Sequence, residues 1–265
     1  MLIRYCKRLF RLRHTIYSMA KRDFCQQNQG SILGIVWNFL QPALYITILY
    51  YVFTLGFRPS VETEGLPFGL YLASGMISWM FFSSNLTAIT NIFKTYAFLV
   101  KKINFDLSIL PLIKIASASI THFFLLFLLL ILAWRGDYPP GWHSLQLIYY
   151  YSCTVILLIG SGLLTASANI FIKDTQNLIF LLTQFGMWLT PIFWKIETFP
   201  PQHRWIFKAN PAYYLINGYR DSITGKAYFW DYPTWTLYYL CISFLFLIMG
   251  TYFYKKLRPH FAEEI

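Results

Sequence analysis

The chain has 265 residues, of which 57% are hydrophobic, 20% aromatic and only 12% charged. Soluble globular chains carry about 25% charged residues, so this composition excludes an ordinary water-soluble domain and indicates the membrane class. The 22 Lys and Arg outnumber the 11 Asp and Glu, leaving a net charge of +11 whose placement points to a membrane surface rather than to nucleic acid.

In residues 1–22, Leu2, Tyr5, Cys6, Leu9, Phe10, Ile16, Tyr17 and Ala20 recur at helical spacing, with Arg4, Lys7, Arg8, Arg11 and Arg22 on another face. The pattern predicts an amphipathic helix lying along the membrane, the alternative being a solvated basic tail. A basic, polar-rich stretch precedes the first long apolar run, unlike a secretory signal.

Segments 34–57, 68–93, 115–134, 145–172, 178–194 and 235–254 approach or exceed the roughly 20 apolar residues that a membrane helix needs. They predict an all-α integral membrane protein with six transmembrane helices and one domain over 1–265. The first segment carries Asn38, Gln41 and Pro42 near its start. Lipid cannot hydrogen-bond an amide, so these residues should face protein or a water-filled passage. The connections give orientation. Fifteen Lys and Arg fall on the side of the two termini and seven on the other, so both termini are expected in the cytoplasm.

The connection after the second segment reads KTYAFLVKKINFDLSILPLIK, too charged to span and too apolar for an open loop. A short helix parallel to the membrane and ending before Pro111 is expected, either docking a cytoplasmic partner or resting on the bilayer. Residues 200–230 hold two short amphipathic pieces, 202–208 and 213–224, divided by Asn210-Pro211. They predict either a pair of outer re-entrant helices or an external cap.

Chemistry-bearing motifs are sparse. Gly225-Lys226 lacks the rest of a phosphate loop, and there is no H-E-x-x-H, no nucleophile elbow and no carboxylate in a predicted span. Neither ATP hydrolysis by this chain nor proton coupling is therefore expected. Cys6, Cys25, Cys153 and Cys241 have no metal spacing and read as free thiols; a Cys153–Cys241 disulfide is the alternative. No metal site and no cofactor are expected on this chain.

Four stretches carry a family resemblance: SILGIVWNFLQP (31–42), YLASGMISWMFFSSNLTAITNIF (71–93), NIFIKDTQNLIFLLTQFGMWLTPIFW (169–194) and NPAYYLINGYRDSI (210–223). In this order they resemble the transmembrane subunit of ABC-type exporters of O-antigen and related surface polysaccharides, within the ABC type-2 permeases. One departure is that Gln27 and Asn28 stand where the family usually has a basic residue followed by an aromatic. The resemblance implies a bacterial inner-membrane homodimer joined to two copies of a cytoplasmic ABC ATPase, with ATP and Mg on that partner. The substrate implied is a lipid-linked glycan. It also implies an interfacial helix and cytoplasmic approach over 1–33, a coupling helix over 94–108 and an outer re-entrant region over 200–230.

On that reading Trp37, Asn38 and Gln41 line a passage between the two copies. Tyr45, Trp79, Phe81, Phe82, Trp188 and Phe193 supply its aromatic walls, the alternative for each being ordinary packing or an interfacial belt. Phe98, Lys101, Lys102, Asn104, Phe105 and Asp106 are the expected contacts to the ATPase. Two other functions compete: a type-2 permease for a small lipophilic drug or lipid, and a membrane-embedded lipid-linked sugar transferase. The transferase would need clustered carboxylates, whereas Glu62, Glu64, Asp137, Glu197, Asp221 and Asp231 are scattered.

Overall fold

The computed structural model describes residues 12–57, 62–63, 66–100 and 106–264. Six long helices occupy the six predicted segments. They are α2 (Trp37–Val52), α3 (Phe68–Thr90), α6 (Leu110–Arg135), α7 (Gln146–Phe171), α8 (Thr175–Leu189) and α11 (Pro233–Leu257). An N-terminal helix α1 (Arg13–Gln26) precedes them. Short helices α4 (Ile92–Thr95) and α5 (Ala97–Val100) follow α3. Helices α9 (Arg204–Lys208) and α10 (Pro211–Thr224) precede α11, and α12 (Phe261–Glu264) closes the chain. Two-residue strands β1 (Glu62–Thr63) and β2 (Leu66–Pro67) pair antiparallel before α3, so the architecture is all-α in substance.

Among the described residues, four stretches are long and apolar enough to cross a membrane: Gly34–Gly56, Leu107–Arg135, Trp142–Phe171 and Pro233–His260. The other two long helices fall short for different reasons. Helix α3 has 23 residues but carries Ser74, Ser78, Ser83, Ser84, Asn85 and Thr87, which lower its hydropathy. Helix α8 has 15 residues. At 1.5 Å per residue it spans about 22 Å, against about 30 Å of hydrocarbon.

Helix α3 is the axis of the bundle. Sixteen of its residues are buried, and it packs against α6, α7, α8 and α10. By contrast α2 buries no side chain, and α8 buries only Ile179 and Thr183. Their outward faces, with Ile48, Leu181 and Phe185, are apolar and uncovered.

Local chemistry explains the helix ends. Pro111 lies in the first turn of α6, where a missing N–H costs nothing. Before it, the described part of the short-helix segment runs to Val100. Helix α8 stops at Leu189 because Thr190, before Pro191, is extended, five residues earlier than the sequence pattern suggested. Helix α10 opens on Asn210, whose side chain accepts from the Ala212 N–H at 3.0 Å. It closes on Gly225 at φ 65°, the left-handed turn that glycine adopts without strain.

Helices α7 and α11 make the most extensive contact in the bundle. A Cβ on Gly160 would stand 2.5 Å from the Leu247 nitrogen, and one on Gly250 would collide with the Gly160 carbonyl. The approach is thus backbone to backbone, as small residues allow between membrane helices. Cys25, Cys153 and Cys241 are free thiols; Cys6 lies outside the described residues.

Gly160→Ala should destabilise the protein by about 1–3 kcal/mol, because neither backbone can yield. Gly250→Ala should act similarly, with the pair less than additive because they share one contact. Apparent melting temperatures of the detergent-purified variants check both.

Candidate functional site

A groove of about 890 Å³ runs between α2, α3, α6 and α8. Each wall is a stripe at helical spacing. Asn38, Gln41 and Tyr45 project from α2, and Met80, Ser84, Thr87 and Asn91 from α3 and its end. Lys114, Ala118, Thr121 and Leu125 come from α6, and Gln176, Phe180, Thr183 and Met187 from α8. Separations of three and four residues put each set on one face of its helix. Amides, hydroxyls, thioethers and rings alternate along the result.

Of the residues singled out from sequence, Trp37, Asn38, Gln41, Tyr45, Trp79 and Phe81 line this groove. Phe82, Trp188 and Phe193 do not. Phe82 packs among all three apolar clusters of the interior. Phe193 stacks on Phe53 with centroids 5.0 Å apart, and Trp188 leans on Phe193 from an exposed position. Trp79 and Phe81 are themselves nearly buried, so only part of each ring borders the groove.

Asn38 is held in place. Its carbonyl oxygen accepts from the Asn28 amide, and its own amide donates to the Phe24 carbonyl at 3.4 Å. Asn28, one of the two residues that depart from the family pattern, thus orients a groove amide. The other, Gln27, donates to Asp23 at 3.1 Å and to Ser117 at 3.3 Å.

Asp23 is the hub of this end of the molecule. The Lys114 ammonium meets both its oxygens at 3.0 Å, and the Tyr96 hydroxyl donates to it at 3.1 Å. One carboxylate therefore joins α1, the turn between α4 and α5, and the groove wall on α6. Burial alone would raise the Asp23 pKa. The Ser117 hydroxyl, the Lys114 charge and the Gln27 amide outweigh it, and the carboxyl is held below its usual range. Burial, and then the Asp23 charge, push the Tyr96 hydroxyl up to about 12.

The same segment has a second anchor. Lys94 donates to Asn169 at 3.1 Å, and Asn169 donates to the Thr90 carbonyl at 2.9 Å. Burial, and then the neighbouring Lys173, lower the Lys94 pKa. Phe98 projects outward at 61% exposure, while Asp106 accepts from Ser108 and caps the turn into α6. Lys101, Lys102, Asn104 and Phe105 lie outside the described residues.

At its other end the groove meets α10. His122 stacks on Phe81 with centroids 4.2 Å apart and bonds the Tyr219 hydroxyl at 2.9 Å. Behind it Arg220, 3% exposed, donates to the Pro191 carbonyl at 2.8 Å and lies 3.4 Å above the Tyr71 ring. Asn210 donates to Thr190 at 2.9 Å, so α10 is pinned to the end of α8 at two points. Asn85 Oδ1, His122 Nδ1 and Gln176 Oε1, all from groove-lining residues, are buried without a hydrogen-bond partner. Water or a hydroxylated ligand satisfies such atoms.

Sequence reading did not single out Ser84, Thr87, Thr121, His122, Gln176 or Thr183. Their signal was available: polar residues at i, i+3, i+4 and i+7 within apolar helices mark a wet face.

Residues 14–224 match the family model described as ABC-2 type transporter. The chain is 24% identical to an O-antigen export system permease protein RfbA of Klebsiella pneumoniae, over 92% of each chain. It is 22% identical to one of Myxococcus xanthus over the full length of both. It is also 21% identical to the polysialic acid transport protein KpsM of Escherichia coli, over 72% of this chain and 74% of that one.

Asp23→Asn should cost about 1–3 kcal/mol, because Lys114 then stays partly buried without its counter-charge. The native carboxyl has a depressed pKa in the folded state. Its contribution is therefore present above the ordinary carboxylate value of about 4 and fades as pH falls through the lower folded value. Melting temperature against pH checks both: the native protein should lose stability on this acid limb and Asp23→Asn should lose less.

Proposed function

The chain belongs to the ABC-2 type transporter family, and from that premise we propose that it is the membrane subunit of an ATP-driven exporter moving a lipid-linked polysaccharide out of the cytoplasm. The observation that carries this reading is the groove, where aromatic and apolar faces alternate with amides and hydroxyls over about 890 Å³. A sugar chain presents C–H faces and hydroxyl rims. Rings give it contact area without fixed hydrogen-bond demands, and sparse amides exchange partners as it slides. The relatives named for O-antigen and polysialic acid export support the same substrate class.

In this reading all six long helices cross the inner membrane of a bacterium, with α9 and α10 as re-entrant helices on the outer side and both termini in the cytoplasm. The short α8 then spans with help from Thr190 to Phe193 and the packed α10. A second copy seats on the uncovered apolar faces of α2 and α8 and closes the open groove into a passage. Two ABC ATPase subunits hydrolyse ATP with Mg. They push on residues 94–108, where Phe98 is an exposed anchor, and Asp23 passes the displacement to α1 and α6. This chain supplies the passage and no catalytic group.

Replacing Trp37 and Gln41 together by Leu should leave assembly with the ATPase intact and reduce export of the lipid-linked glycan at least about tenfold, as expected when a few well-placed contacts are removed. ATP-dependent movement of the glycan by the co-purified complex measures it. Unchanged export would remove these two residues from the passage.

A further inference from the structure

Helix α10 separates the groove from a second, smaller chamber. Its Tyr219 bonds to groove-lining His122, whereas its Asn217 and Asp221 line a cleft of about 230 Å³ bordered by Lys208 of α9 and Trp235 of α11. We propose that this cleft is a binding site for one neutral sugar ring. Four features of its wall support the assignment.

The first is size. The cleft lies below the roughly 300–1,000 Å³ of sites for drug-sized ligands, which suits a single ring rather than a lipid or an oligosaccharide. The second is an aromatic floor: Trp235, with five tyrosines, borders the cleft, a surface for the C–H face of a sugar. The third is a pair of planar polar groups. Asn217 donates to Asp221 at 3.2 Å, which sets an amide and a carboxylate side by side, the arrangement that meets two adjacent hydroxyls.

The fourth is the charge pattern. Glu197, Lys208 and Lys226 reach the cleft from three separate segments, yet among the described residues no ion pair joins them to one another. Lys208 instead lies 5.6 Å from the centroid of the Trp235 ring. Charges of both signs around one small cleft disfavour a simple anion or cation and favour a ligand whose hydroxyls donate to the acid and accept from the amines. The role, which rests on the export reading, is to receive a sugar unit that has passed α10. The binding itself does not depend on that reading.

The test uses the full chain purified in detergent, with saturation transfer from protein to a panel of neutral methyl hexosides and to inorganic phosphate. At least one hexoside should bind, and Asn217→Ala and the surface change Lys226→Gln should each weaken it by up to about tenfold, the loss of one good hydrogen bond. The Trp37→Leu, Gln41→Leu double variant should leave that binding unchanged. Absence of hexoside binding, binding of phosphate alone, or binding indifferent to both cleft variants would overturn the site. Glycan export by the complex is followed in parallel. Export without hexoside binding sinks the cleft and leaves the passage standing; hexoside binding without export does the reverse.

Discussion

An amide side chain placed in hydrocarbon must find a partner, because lipid offers none and an unmet donor or acceptor costs several kcal/mol. The arrangement of this bundle follows from that constraint. Many polar residues on α2, α3, α6 and α8, among them Asn38, Gln41, Ser84, Thr87, Thr121, Gln176 and Thr183, are gathered on stripes that face one another. The opposite faces of α2 and α8 carry large apolar side chains. A groove is the geometric result.

Rigidity comes from the elements behind the groove. Helix α3 is buried along most of its length, and the glycine contact between α7 and α11 locks two long helices backbone to backbone. Against this frame, the end containing α1 is tied by polar groups that can exchange partners. Asp23 alone touches Lys114, Tyr96 and Gln27. The same end is also packed by apolar side chains, with Ala20, Ile92, Phe93, Leu110 and Ile113 in one buried cluster. The far end is held differently: Arg220 and Asn210 staple α10 to the carbonyl and hydroxyl of Pro191 and Thr190.

Much of this was legible in the sequence. Hydropathy located all six long helices, and Asn210-Pro211 marked the division between α9 and α10. A boundary slipped where proline was decisive: Pro191 ends α8 early. The groove was legible in part. Asn38 and Gln41 stood out because amides are conspicuous in an apolar run. The aromatics were harder, since Trp, Tyr and Phe serve equally as walls, belts and core; Phe82 and Phe193 pack inward, while Trp79 and Phe81 do so and also border the groove. The hub was not legible. Asp23 and Lys114 lie 91 residues apart, and neither helix's own periodicity specifies that they meet.

The central claim is that the polar stripes border water rather than lipid or dry protein. It is tested most directly by placing single cysteines in a chain whose native cysteines are replaced, then measuring reaction with a hydrophilic thiol reagent in membranes. Ser84→Cys and Thr121→Cys should react readily, and Ile248→Cys, on the outward apolar face of α11, should not. If the two groove positions prove as unreactive as Ile248→Cys, the groove is not a wet passage and the account fails.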